Sequence, residues 1–245
     1  RMKNYQATWI PPLAKDKVRY VGEAVAAVIA DSRYLAEDAL AHLAVEYDPL
    51  PALIDPEEAV ADGAPLLHDD LVSNILAERA FARGEVDQAF ADAAVTTGGR
   101  FHFTRTTPVT IEARAAVAEY DRRAQSLTLY CTTQIPGIVR DKLSEIFGMP
   151  GPRIRVIAPD VGGGFGGKTS LYSEEIVACA VTRDLKRPIK WVGDRMEDLM
   201  TTGQAFDEIV DAEIAVASDG SILAVKADVI GDVGAYSIYP WSATI

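Results

Sequence analysis

Gly162-Gly163-Gly164-Phe165-Gly166-Gly167-Lys168-Thr169 is the stretch whose residue types and spacing could do chemistry: five of its eight residues are glycine. Glycine carries no Cβ, so backbone N–H groups there can approach a ligand closely and adopt positive φ. Upstream, Arg153–Ile157 alternates like a strand. Downstream, from Ser170 to Leu185, the apolar residues Leu171, Ile176, Val177, Ala180, Val181 and Leu185 recur at helical spacing. A strand, a glycine turn and a helix in that order predict an anion cradle, because the first N–H groups of a helix and its dipole favour negative charge. Phe165 puts one aromatic ring among the glycines, as a wall or wedge beside a bound group.

Two readings of the loop compete. Gly162–Thr169 satisfies G-x-x-x-x-G-K-[ST], the nucleotide phosphate loop, with Lys168 on phosphate and Thr169 on magnesium. That reading also wants an acidic residue ending a buried strand further along. Ala24–Asp31 has the form but lies upstream, and Lys226 interrupts the downstream candidate Val225–Asp228. The other reading is a loop that holds a pterin cofactor.

Composition narrows the classes. The 245 residues suffice for one large or two ordinary domains, and 49% hydrophobic with 24% charged residues is the balance of a folded chain. The net charge, 24 − 36 = −12, opposes non-specific nucleic-acid binding and adhesion to anionic membranes. No apolar run is long enough to span a bilayer and no signal peptide is visible, so the expected compartment is the cytoplasm. Cys131 and Cys179 are too few for a disulfide framework or an iron–sulfur cluster and read as buried thiols. His42, His68 and His102 lack ligand spacing, and the acidic pairs Glu57-Glu58 and Asp69-Asp70 read as solvated surface.

The elements that must position the loop follow in order. Ala24–Ala30 predicts a buried strand, Arg33–His42 a helix capped by Asp31 and Ser32, and Val45–Tyr47 a returning strand. Pro56–Val60 predicts one helical turn, Val86–Ala93 a short helix, and Phe101–Phe103 a strand. Arg114–Asp121 and Leu127–Thr132 predict a hairpin turning through Arg122–Gln125. Ile135–Phe147 predicts a helix with Pro136 in its first turn and Gly148 as C-terminal cap. Arg187–Val192 predicts a strand, Arg195–Met200 a helix, and Phe206–Ala217 with Ile222–Gly231 a long hairpin. The sequence starts at Arg1 and stops at Ile245, with no helix closing the last hairpin and with Trp241 near its end. The expectation is a piece of a longer protein.

Several stretches, in order, resemble the large subunits of molybdenum hydroxylases, the family of xanthine dehydrogenase, aldehyde oxidase and aerobic carbon monoxide dehydrogenase. They are Val18–Ala26, Ile111–Ala118, Thr132-Thr133-Gln134, Val161–Lys168, Asp219-Gly220 and Gly231–Tyr236. The resemblance implies an α+β fold: the C-terminal part of a hammerhead domain over 1–66, a linker over 67–85, and a first molybdopterin-binding domain of mixed sheets and helices over 86–245, incomplete at its C-terminus. It implies an oxidoreductase that hydroxylates a small aldehyde or N-heterocycle with water, or oxidises carbon monoxide, on a molybdenum–molybdopterin centre. The cytosine dinucleotide form of the pterin is expected. Electrons would leave to an iron–sulfur small subunit and a FAD-binding medium subunit, and the remainder of the large subunit would complete the site.

By the same resemblance Gly163, Gly164, Phe165 and Gly166 bind the cofactor, and no side chain of this chain ligates the metal. Xanthine dehydrogenases carry Glu directly after the loop lysine, where Thr169 stands here, and Gln six positions before the match to Glu112, where Thr106 stands here. Both threonines are substrate-side candidates, and the departures disfavour purine oxidation. Ala115–Tyr120 resembles the carbon monoxide dehydrogenase-type branch. The family's catalytic Glu is expected beyond Ile245, and Glu112 is assigned a structural role. The chain alone is expected to be inactive.

Overall fold

The computed structural model describes residues 5–237. Its contacts define two compact units that do not follow one another in series. One gathers the described residues of Arg1–Trp9, Pro51–Thr106 and Ala205–Ile245; the other holds Ile10–Leu50 and Thr107–Gln204.

The second unit carries the loop. Its sheet is built from β2 (Ala115–Asp121), β3 (Ser126–Cys131), β4 (Ile154–Ile157) and β5 (Ile189–Val192), in the order β4-β3-β2-β5. The β2–β3 hairpin is antiparallel, β5 adds antiparallel to β2, and β4 lies parallel to β3. A parallel pair needs a crossover, and α4 (Pro136–Phe147) supplies it between β3 and β4. A second helix, α5 (Ser173–Leu185), leads from β4 on one edge to β5 on the other. Both helices cover one face of the sheet. Ala116, Ala118, Leu127, Leu129, Cys131 and Ile154 point to it and pack with Val139 and Leu143 of α4 and Ala178 and Cys179 of α5. Each fully buried leucine there stabilises the fold by about 2 kcal/mol. The expected end of α4 is present: Gly148 adopts φ +60°, and Gly148 N and Met149 N donate back to Glu145 O and Ser144 O.

The other unit holds a three-stranded antiparallel sheet, β1-β6-β7, of β1 (Val95–Phe103), β6 (Asp207–Val216) and β7 (Ile222–Asp232). The helices α2 (Pro56–Val60) and α3 (Val86–Ala91) lie on the face that carries Arg100, Asp211 and Lys226. Arg100 reaches Glu57 at 2.6 Å, and Lys226 reaches Asp87 at 2.8 Å and covers the Phe90 ring. Phe101, Phe103, Val225 and Val229 share the opposite face and stay exposed.

Most predicted elements are present, with corrections. Ala24–Ala30 forms no strand, and neither does Val45–Tyr47; among the described residues neither has a ladder partner. Ala24–Ala30 is half-buried or exposed. An apolar run states only that burial is wanted; a strand also needs a neighbouring backbone to pair with. Between them α1 (Arg33–Leu40) forms as expected, and the Ser32 hydroxyl caps it by accepting from Leu35 N at 3.3 Å. The strand predicted at Phe101–Phe103 begins at Val95. Gly98 and Gly99 hid its first half, and a Cβ on Gly98 would sit 2.3 Å from the Ala212 carbonyl oxygen, so the close pairing needs glycine. The reading drawn from Trp241 lies outside the described residues.

Candidate functional site

The glycine loop does not open directly into a helix. Five residues separate Gly167 from Ser173, the first residue of α5. The N-terminus of α5 is closed by its own residues: Tyr172 N donates to the Glu175 carboxylate at 3.0 Å, and Glu174 adds a second carboxylate to the first turn. An anion cradle on the α5 dipole is therefore overturned, because that end is already capped and acidic.

Three side chains from separate segments fix the loop. Glu112 Oε2 accepts from Gly162 N at 2.6 Å and from Lys168 Nζ at 2.9 Å, so one oxygen holds both ends. Lys168 Nζ also donates to the Glu112 carbonyl at 3.0 Å. Gln134 Oε1 accepts from Gly166 N and Lys168 N, each at 3.2 Å, and Gln134 N donates to Lys168 O at 2.9 Å. The Tyr172 hydroxyl donates to Gly167 O and accepts from Gly203 N at 3.0 Å. The glycines follow from this crowding. A Cβ would come to 2.5 Å from Glu112 Cβ at Gly162, 2.4 Å from Gln134 at Gly164, and 2.6 Å from Pro108 Cγ at Gly167.

What the loop turns outward is different in kind. Gly163, Phe165 and Gly166 have φ of +100°, +49° and +90°, and Phe165 is 80% exposed. A Cβ on Gly166 would meet nothing within 4 Å. Among the described residues, no acceptor engages the N–H of Gly163, Gly164 or Phe165. A phenylalanine held at positive φ is strained, and such strain concentrates where backbone meets ligand. Val109 and Ile111, the latter 96% exposed, add apolar tips beside the loop's anchor.

Lys168 is 2% exposed and faces the loop's anchor. The nucleotide reading requires this ammonium on a phosphate, and here it is spent on Glu112. Partial burial would raise the Glu112 pKa; the Lys168 ammonium and the Gly162 N–H outweigh it and hold the carboxyl below its usual range.

Behind Tyr172 lies Arg114, a buried hub. It forms a two-toothed bridge to Glu174 at 3.2 Å on both arms, donates to Thr202 at 3.1 Å and to Thr201, and lies 3.8 Å from the Tyr172 ring centre. Its backbone N–H donates to Asp198 of α6 (Arg195–Thr201) at 3.1 Å. Arg195 ties the start of α6 to the Ile111 carbonyl at 2.8 Å. Glu175 is enclosed beside these groups, and burial pushes its carboxyl up to about 7. Cys131 and Cys179 are buried; burial raises both thiols, Cys179 to about 12.

Of the sequence candidates, Gly163, Gly164, Phe165, Gly166 and Thr169 lie together on the loop. Thr169 is buried, and its hydroxyl donates to the Gly166 carbonyl. Thr106 is exposed and belongs to the other unit. His102 pairs with Asp207 at 2.5 Å and His68 bonds the Ala235 carbonyl at 2.7 Å. Among the described residues no three His, Cys, Asp or Glu side chains group as metal ligands. Residue types alone missed the supporting roles of Gln134, Arg114 and Tyr172. Arg114 left one trace, a charge set inside an apolar run.

The glycine loop is tied through Gly162, Gly166 and Lys168, while the N–H groups of Gly163, Gly164 and Phe165 find no partner among the described residues, and the comparisons give the class of protein that carries it. The chain matches the molybdopterin cofactor-binding domain over residues 67–245 and the aldehyde oxidase and xanthine dehydrogenase a/b hammerhead domain over residues 2–51. It belongs to the molybdenum hydroxylase large-subunit family. It is 37% identical to the carbon monoxide dehydrogenase large chain of Hydrogenophaga pseudoflava, over 96% of this chain and 32% of that one. It is 35% identical to the nicotine 6-hydroxylase large subunit of Paenarthrobacter nicotinovorans, over 98% of this chain and 29% of that one. Among solved structures, quinoline 2-oxidoreductase from Pseudomonas putida 86 superposes with a TM-score of 0.93 at 38% identity, covering 98% of this chain and 30% of that one. The chain thus spans about a third of the length of these relatives.

Proposed function

We propose that this chain is the part of a molybdenum-dependent oxidoreductase that presents Gly163, Gly164, Phe165 and Gly166 to a molybdopterin cofactor. The observation that carries the reading is the pairing of a family match with a loop whose anchoring is internal and whose Gly163, Gly164 and Phe165 amides have no partner among the described residues. The residues fit such a group. The Gly163, Gly164 and Phe165 N–H groups can donate to oxygen or sulfur acceptors, the backbone at Gly166 is open, and the Phe165 ring walls one side. Molybdenum on a pterin would supply a centre that takes two electrons from substrate; the protein's part is binding and orientation.

The activity proposed for the whole protein is hydroxylation of an aldehyde or N-heterocycle with water, or oxidation of carbon monoxide. Nicotine 6-hydroxylase and quinoline 2-oxidoreductase support the first by their names, and carbon monoxide dehydrogenase the second. Electrons would pass to an iron–sulfur small subunit and a FAD-binding medium subunit, in the cytoplasm. The cytosine dinucleotide form of the pterin is part of the proposal, as is a catalytic Glu supplied by the remainder of the large subunit. So is the division into 1–66, 67–85 and 86–245. Thr106 and Thr169 are proposed as substrate-side residues. Thr169 would act by shaping the loop, since its hydroxyl turns to the Gly166 carbonyl.

The test is to purify the native large subunit with its partners, measure molybdenum per chain, and assay dye reduction with aldehydes, N-heterocycles and carbon monoxide. Stoichiometric molybdenum and turnover of one class are expected. A folded complex without molybdenum overturns the reading.

A further inference from the structure

We infer that Glu112 and Lys168 are positioning residues for the cofactor loop, acting from behind it to set the direction of the Gly163, Gly164 and Phe165 amides. The inference rests on the molybdopterin reading above. Its basis is the double use of one oxygen. Glu112 Oε2 takes the N–H of Gly162, at the start of the loop, and the ammonium of Lys168, at its end. The five residues between are thereby closed into a staple, and within it three residues hold positive φ. Lys168 Nζ also takes the Glu112 carbonyl, so the ammonium fixes both the side chain and the backbone of its partner.

Fold stability alone is a weak reason for this pair. The Lys168 side chain is 1% exposed and that of Glu112 35%. Withdrawing such an ion pair from water costs about as much as its attraction returns, and an apolar pair of equal volume is often as stable. What an apolar pair cannot do is direct a specific N–H. With Gly162 N bound to Glu112, Gly166 N and Lys168 N bound to Gln134, and Gly167 N bound to the Gly164 carbonyl, the set of unpartnered amides is fixed by subtraction. Removing the staple frees Gly162 and lets the strained Phe165 relax, so the three amides are no longer held in place. Groups that orient a metal site from behind its contacts are worth about ten- to a hundredfold in metal affinity.

The test uses the native complex of large subunit and partners. Wild type is compared with Glu112→Gln/Lys168→Met, which removes both charges of the pair and leaves neither partner charged alone. Readouts are molybdenum per chain after gel filtration, the electron paramagnetic resonance spectrum of the retained molybdenum, and the thermal midpoint. The expected result is a midpoint near wild type, molybdenum lowered about tenfold, and a shifted spectrum. Wild-type molybdenum content and an unchanged spectrum in the double variant overturn the inference and leave the molybdopterin reading standing. A wild-type complex without molybdenum overturns both. Should the double variant not fold, Glu112→Asp decides. It keeps the charge and shortens the reach by one methylene. A shifted spectrum supports the staple, and an unchanged one overturns it.

Discussion

At the scale of the residue, the glycines of the loop divide into two kinds. Gly167 is glycine because Pro108 and Thr202 leave no room: a Cβ there would lie 2.6 and 2.9 Å from them. Proline cannot swing aside, so Gly167→Ala is expected to cost about 1–3 kcal/mol as overpacking. Gly166 is glycine for its φ of +90° and has open space, so Gly166→Ala carries only backbone strain, about 1–2 kcal/mol. Proteolysis of the loop as a function of denaturant ranks the two variants. Glu175 gives a pH prediction. Its folded pKa, about 7, lies above the ordinary carboxylate value, so the folded state binds the proton more tightly. Its contribution is present at low pH and is lost as pH rises toward 7. Glu175→Gln should flatten the decline in amide protection of α5 between about pH 4.5 and pH 7. A decline equal to that of wild type would show that Glu175 is not its source.

At the scale of the element, α5 and α6 hold the loop through Arg114. Truncating Arg114 strips Glu174 and Asp198 of a buried cation and Tyr172 of its stacking partner. Arg114→Ala is expected to destabilise by about 3–5 kcal/mol. The measurement is a loss of soluble protein or a lowered unfolding midpoint. The far end of α4 is more tolerant. Gly148→Ala meets open space and pays only for its left-handed conformation, about 1 kcal/mol. Residues 10–50 bear on the same unit at a close contact, where a Cβ on Gly22 would sit 2.6 Å from the Met200 carbonyl oxygen of α6.

At the scale of the whole molecule, the two contact-defined units each take separate stretches of chain. Such interleaving needs long-range pairing, and β1 finds β6 about a hundred residues later. No helix among the described residues is long and apolar enough to cross a membrane. The buried, engaged Lys168 leads to a further expectation. Titration with magnesium ATP should give no heat that Lys168→Ala removes. Heat that the substitution abolishes would return the nucleotide loop as the better reading.

The sequence by itself determined the loop as the centre of interest, through its glycine density. It also determined the order of α4, β4, α5 and β5, through periodicity and the Pro136 and Gly148 punctuation. These are local properties, written in residues that are neighbours in the chain. The ordered motifs carried the family. Tertiary structure alone decided that Lys168 turns toward Glu112, fifty-six residues away, and that Gln134 and Tyr172 close the loop. It also decided that Ala24–Ala30 is not a strand. A hydrogen bond or ladder partner distant in sequence leaves no periodic mark. The pattern G-x-x-x-x-G-K-[ST] also fits a phosphate loop, a reading weakened in the sequence by the lack of a downstream acidic strand and opposed in the structure by the direction of its lysine.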